Sequence, residues 1–271
     1  MTIKHSVNAI AFGPAATVDD VLAGLEDLPG VGLTVPEWVL ANSGWERAIT
    51  QLRDDARPVE CLLRADWFRL DRPEAWPAQR EALTRLVEAA AEIGAPYVYG
   101  TTGSAGTLEF DQAVAALAEA VGPVLETARE RGVELLIEST NSLRTDVNFV
   151  FTLRDQIDVC RSVGIGLCVD LVAVWPERGV SALLQSAARD VRIVQVGDFA
   201  SGTTISGQRV VPGDGDMPLP RLVGALTTGG FDGVADLEIL GPRIDEEGPR
   251  SAIRRGLAWL ADHTNQTGVT A

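Results

Sequence analysis

Eight short apolar runs of β-type composition alternate along the chain with longer stretches of helical periodicity, and this alternation narrows the fold more than any other feature. The runs fall near residues 5–12, 31–35, 58–63, 95–101, 133–138, 165–170, 191–197 and 233–239. Helical patterns fill the intervals, near 18–27, 43–54, 77–93, 109–131, 149–163, 178–187, 218–228 and 248–263. A strand followed by a helix, eight times over, is the pattern of a parallel sheet closed into a barrel. The runs are almost continuously apolar, as strands covered on both faces must be. Several begin just after a helix-ending glycine, as in LPGVGLTV, EIGAPYVYG, ERGVELLIE, SVGIGLCVD and GGFDGVADLEI. The expected fold is therefore α/β, a single-domain (β/α)₈ TIM barrel over residues 1–271, with a frayed tail from about Thr264.

Charge and rare residues then remove whole classes of function. Lysine and arginine number 23 against 38 acids, a formal charge of −15 that opposes any phosphate backbone or anionic membrane. No run reaches transmembrane length and the first residues lack a cleavable signal pattern, so a soluble cytoplasmic protein acting on a small molecule is expected. A homo-oligomer is compatible with the chain, which carries no signal of subunit number. Lys4 is the sole lysine and sits at the N-terminus, which argues against Schiff-base chemistry. Cys61, Cys160 and Cys168 lie among apolar residues without CxxC spacing and read as buried small side chains, not as a thiolate metal site. The two histidines, His5 and His263, fall at the start of the first strand and in the terminal helix, away from the expected mouth. Serine–histidine–aspartate triads and multi-histidine zinc sites are excluded with them.

What remains is acidic. Four successive strands end on a group able to bind metal: VELLIE at Glu138, IGLCVD at Asp170, VRIVQVGD at Gln195 and Asp198, and GVADLEI at Asp236 and Glu238. Strand ends converge at the C-terminal mouth of a barrel, so residues far apart in sequence meet there. Carboxylates crowded and buried together repel, and a divalent cation relieves that cost. All-oxygen donors suit Mn²⁺ or Mg²⁺, with Co²⁺ also accommodated. The 24 residues GDFASGTTISGQRVVPGDGDMPLP follow the seventh strand and should lie over the mouth. After the third strand, RADWFRLDRPEAW brings Arg64 and Trp67 near it as substrate contacts. Trp38 and Trp175 could wall the pocket, and Asp198 is a further candidate for substrate.

The pieces LLIES, CVDL, VQVGD followed by RVVPGDGDMPL, and FDGVADLEI resemble the xylose isomerase-like sugar phosphate isomerase/epimerase barrels. The resemblance is clearest from Val133 to Leu240. It implies a metal held by Glu138, Asp170, Gln195 and Glu238, with the two glutamates as the acid/base pair and Arg209 on the substrate. Three positions depart from the family pattern. Gln195 stands where histidine is commonest, Ala173 replaces the histidine of a DxxH motif, and Thr140 replaces a histidine frequent in dehydratases. The glutamine is similar to that of the dehydroshikimate dehydratase branch. The reaction expected is isomerisation or epimerisation of a sugar-like hydroxy-ketone by proton removal next to the carbonyl. A dehydrating lyase is the alternative, and a non-catalytic binding or partner subunit a third.

Overall fold

The computed structural model describes residues 3–203 and 208–264, so residues 204–207 of the long loop and nearly all of the expected tail lie outside the described residues. Eight parallel strands close in sequence order: β1 (Lys4–Asn8), β2 (Gly32–Pro36), β3 (Val59–Asp66), β4 (Tyr97–Thr101), β5 (Glu134–Glu138), β6 (Gly166–Asp170), β7 (Val191–Val196) and β8 (Val234–Leu237). Closure comes from β1 pairing with β8, Ser6 opposite Asp236. The chain is a (β/α)₈ barrel, as the alternation of strand and helix requires.

The departures from expectation are local and have visible causes. β1 stops at Asn8 instead of continuing to Phe12, because the Asn8 side chain accepts the Ile10 N–H (3.2 Å) and turns Ala9–Phe12 into a 3₁₀ helix. The helix expected over 43–54 runs Trp45–Asp54, and a further helix, Glu37–Ser43, precedes it across Gly44. The helix expected from 149 starts at Leu153, where the Thr152 hydroxyl accepts the Asp155 N–H. No helix among the described residues is long and apolar enough to cross a membrane.

Two apolar layers hold the barrel. The larger packs the outer faces of the strands against the helices. The smaller fills the lumen with Cys61, Leu63, Tyr99, Leu136, Cys168, Ile193 and Val234. Side chains two apart on a strand share a face. Leu136 therefore predicts the direction of Glu138, Cys168 that of Asp170, Ile193 that of Gln195, and Val234 those of Asp236 and Glu238. The acids stand one layer above an apolar plug, at the strands' C-terminal ends. All three cysteines are buried, as expected.

Candidate active site

A cavity of about 160 Å³ opens on this layer, lined by Trp38, Tyr99, Glu138, Asp170, Arg209 and Glu238 among others. That is the room of a few water molecules or one small ligand. Arg209 lies at its centre. Its Nη2 contacts Asp170 Oδ2 at 2.6 Å and Glu238 Oε1 at 3.1 Å, with all three side chains buried. The backbone brings it there. Arg209 N–H donates to Leu240 C=O (2.9 Å) beside the end of β8, and Val210 bridges Asp198 just after β7. Gly197 leaves the space, since a Cβ at that position would stand 2.7 Å from Arg209 Cδ and 2.5 Å from the Glu238 carbonyl oxygen.

Asp170 also caps the short helix that follows it, its Oδ1 accepting the Val172 N–H at 2.8 Å. Gln195 is fully buried beneath Glu238 and donates its Nε2–H to Glu238 Oε2 and to the Tyr99 hydroxyl (3.0 Å), while its Oε1 has no partner. Asn8 donates to the same Tyr99 hydroxyl (2.8 Å) and to Asp236 Oδ2 (3.1 Å). Asp236 completes its set with the hydroxyls of Ser6 (2.5 Å) and Thr34 (2.9 Å). Glu138, a half-buried residue whose carboxyl group is desolvated by its surroundings, lines the cavity with no side-chain hydrogen bond among the described residues.

The electrostatics follow from three carboxylates facing one guanidinium, with a fourth, Asp236, buried among Ser6, Thr34 and Asn8. Burial, then the charges of Glu238 and Asp170, hold Glu138 well above the usual carboxylate range, with Arg209 opposing. Burial pushes Glu238 up to about 7, with Arg209 pulling it down and Asp170 and Asp236 pushing it up. Burial raises Asp170 too, offset by Arg209 and by the Val172 N–H. Asp236 is pushed up to about 6 by burial, less the help of Ser6, Thr34 and Asn8. Burial works against the charge on Arg209, but Asp170, Glu238 and Glu138 outweigh it and keep the guanidinium ionised.

These shifts have a consequence for stability. A carboxyl group whose pKa is raised by folding binds more protons in the native than in the unfolded chain between the two values, so stability falls as pH rises there. Asp236 and Glu238 place that fall between about pH 4 and 7, and Glu138 and Asp170 act in the same direction. His5, lowered by burial, opposes it as a single group. The metal-free protein is therefore expected to melt at a lower temperature at pH 7.5 than at pH 5.5 in calorimetric scans. A midpoint that rises over this interval would mean that the four acids are not buried as described.

As the side chains stand, no three His, Cys, Asp or Glu among the described residues are arranged to hold a metal ion. The Arg209 guanidinium, seated on both Asp170 and Glu238, takes the position a cation would need. The donor set nevertheless fits a hard divalent ion on two observations. Gln195 Oε1 is a buried acceptor without a donor. The carboxylates of Glu138, Asp170 and Glu238 outnumber the charge of Arg209 by two, which is the charge such an ion carries.

The other residues expected at the mouth are elsewhere. Arg64 pairs with Glu37 at the start of the helix Glu37–Ser43 and is absent from the cavity wall. Trp67 is completely buried in the core, its indole packed on Gly100. Trp175 packs against the core outside the cavity. Asp198 accepts four backbone N–H groups, from Phe199 (2.8 Å), Gly213 (2.9 Å), Gly215 (3.1 Å) and Met217 (3.2 Å). It organises the long loop and is not aimed at substrate. Asp198→Ala would strand these donors, each costing roughly 1–3 kcal/mol if left unpaired. A loss of about 3 kcal/mol or more is expected in urea unfolding, and an unchanged midpoint would mean the loop does not depend on this carboxylate. Sequence reasoning passed over Asn8, Ser6 and Thr34. Their only signal was polar residues at alternate positions of otherwise apolar strands.

A family model described as xylose isomerase-like TIM barrel matches residues 57–263. Among solved structures, a Sinorhizobium meliloti protein superposes with a TM-score of 0.85 at 20% identity, covering 96% of this chain and 98% of its own. The IolI protein, in a structure with a bound zinc atom, gives 0.84 at 14% identity, covering 99% and 100%. D-Psicose 3-epimerase from Clostridium cellulolyticum, solved with D-tagatose, gives 0.76 at 15% identity, covering 96% and 98%. At these identities the likeness is one of fold. No curated protein matches the chain.

Proposed function

The chain belongs to the xylose isomerase-like TIM barrel family, and from that premise we propose that it is a metal-dependent isomerase or epimerase of a small, sugar-like hydroxy-ketone. The observation that carries this reading is the pairing of Glu138 and Glu238 at one small cavity, both held above the usual carboxylate range by burial, with no histidine or lysine among its lining residues.

Glu138, Asp170, Gln195 and Glu238 would hold the ion, Mn²⁺ or Mg²⁺ by the hardness of their oxygens. When bound, that ion supplies fixed positive charge for the negative charge that proton removal leaves on the substrate's oxygens. The chain's own residues do the rest. One glutamate takes the proton from the carbon next to the carbonyl, and the other holds a proton ready for return. Arg209 gives up its contacts with Asp170 and Glu238 and turns its donors to the substrate's oxygens, a bidentate geometry that a guanidinium favours. Trp38, with Ile10 and Leu63, forms the apolar side of the cavity.

The test is proton exchange. Protein loaded with Mn²⁺ is incubated in D₂O with neutral ketoses and cyclic hydroxy-ketones, and products are followed by NMR and mass spectrometry. One deuterium on a carbon next to the carbonyl, with the mass otherwise unchanged, is the expected result. Loss of water from the substrate would instead identify a lyase, and turnover with no label would count against proton removal into solvent.

A further inference from the structure

We infer that the substrate is a deoxy hydroxy-ketone, hydrocarbon beyond its reacting carbons, because the cavity is divided into a charged arc and an apolar arc. The inference rests on the isomerase reading above and names the substrate class of that same site. The division follows from strand order, since the barrel closes from β1 to β8 in sequence. Strands β5, β6 and β8 bring Glu138, Asp170 and Glu238 to the cavity wall, and the loop after β7 brings Arg209. The other arc, made by β1 to β3 and the turns after β1 and β2, brings Ile10, Trp38, Leu63 and Ala65. Leu63 and Ala65 continue the lumen face that Cys61 begins on β3.

The hydroxyls beside the apolar arc, on β4, are already engaged. Thr101 donates to the Ala65 carbonyl, and the Tyr99 oxygen accepts from Asn8 (2.8 Å) and Gln195 (3.0 Å). Within the arc the only side-chain polar atom is Trp38 Nε1, which is buried without a partner and can only donate. With the carbonyl and its neighbouring hydroxyl held at Glu138 and Glu238, a ligand that fills the cavity lays its remaining carbons on this arc. Trp38 suits the C–H face of any sugar, but Ile10, Leu63 and Ala65 offer nothing to its hydroxyls. A hydroxyl set against them gives up water and gains no partner, whereas a hydrocarbon end is buried favourably. Such a wall does not shut a hydroxyl out; it discriminates on a scale of roughly 10- to 100-fold.

The experiment measures deuterium uptake from D₂O by Mn²⁺-loaded protein with matched ketones that differ by one terminal hydroxyl. Erythrulose is set against 1,3-dihydroxybutan-2-one, and L-fructose and L-tagatose against their 6-deoxy counterparts. Each rate is referred to the open-chain ketone measured by ¹³C NMR, so that ring closure does not imitate selectivity. The deoxy member of a pair is expected to have a kcat/KM about 10-fold or more higher, with the difference in KM. The double variant Ile10→Thr, Ala65→Ser adds two hydroxyls to the wall. Threonine keeps the β-branched shape and Ala65 is exposed, so the thermal midpoint checks that folding is intact. In this variant the preference is expected to narrow about fivefold or more. Equal or lower kcat/KM for the deoxy members in wild-type protein would overturn the inference. So would a preference that the folded double variant leaves unchanged, since the selectivity would then arise elsewhere in the site. Exchange of neither member of any pair would instead remove the isomerase reading beneath it.

Discussion

Glu238→Gln is expected to slow transfer of solvent deuterium into the substrate by about 10²-fold or more, the scale on which loss of a general base is felt. Glutamine keeps the length and shape of the side chain and still offers an oxygen to Arg209, which lies 3.1 Å from Glu238 Oε1. What it removes is the ability to take up a proton from carbon. The comparison is made at saturating Mn²⁺, with ion occupancy measured in the same samples, so that a lost donor is not mistaken for a lost base. A Glu238→Gln variant that exchanges at the wild-type rate would assign the base to Glu138 or to another group.

The second large effect concerns the ion. Glu138→Ala and Asp170→Ala are each expected to reduce Mn²⁺ from about one ion per chain to background after gel filtration, because a hard divalent ion needs several anionic oxygens. Glu138 gives the cleaner result. Its carboxylate has no hydrogen-bonding duty among the described residues, whereas Asp170 also caps a helix and holds Arg209. Glu138→Ala should therefore bind no ion and melt no lower than wild type. Full Mn²⁺ occupancy in both variants would end the metal reading.

The barrel was legible because its signal is repeated. Each strand is a short apolar run, several follow a helix-ending glycine, as at Gly94 before β4 and Gly164 before β6, and eight repeats leave one way to close. The acids at the ends of β5, β6 and β8 were legible for the same reason, since a charged residue finishing an apolar run must face the mouth. Trp67 was misplaced because a loop carries no periodicity, and Arg64 because β3 runs on to Asp66, beyond the expected end at 63. Nothing in RADWFRLD distinguishes a tryptophan over the cavity from one packed on Gly100, or an arginine at the mouth from one paired with Glu37. Asp198 misled for a related reason. A carboxylate that gathers four backbone N–H groups looks, in sequence, like one that awaits a ligand. The seat of Arg209 on Asp170 and Glu238 depends on where a long loop returns to the barrel, and only coordinates supply that.

The most direct test is a crystal structure of the protein soaked with Mn²⁺, with anomalous differences collected at the manganese edge. The account predicts one strong peak among Glu138, Asp170, Gln195 and Glu238, the Gln195 oxygen turned to it, and the Arg209 guanidinium withdrawn from Asp170 and Glu238. A lumen without an anomalous peak, and Arg209 still seated on both carboxylates at saturating Mn²⁺, would contradict it.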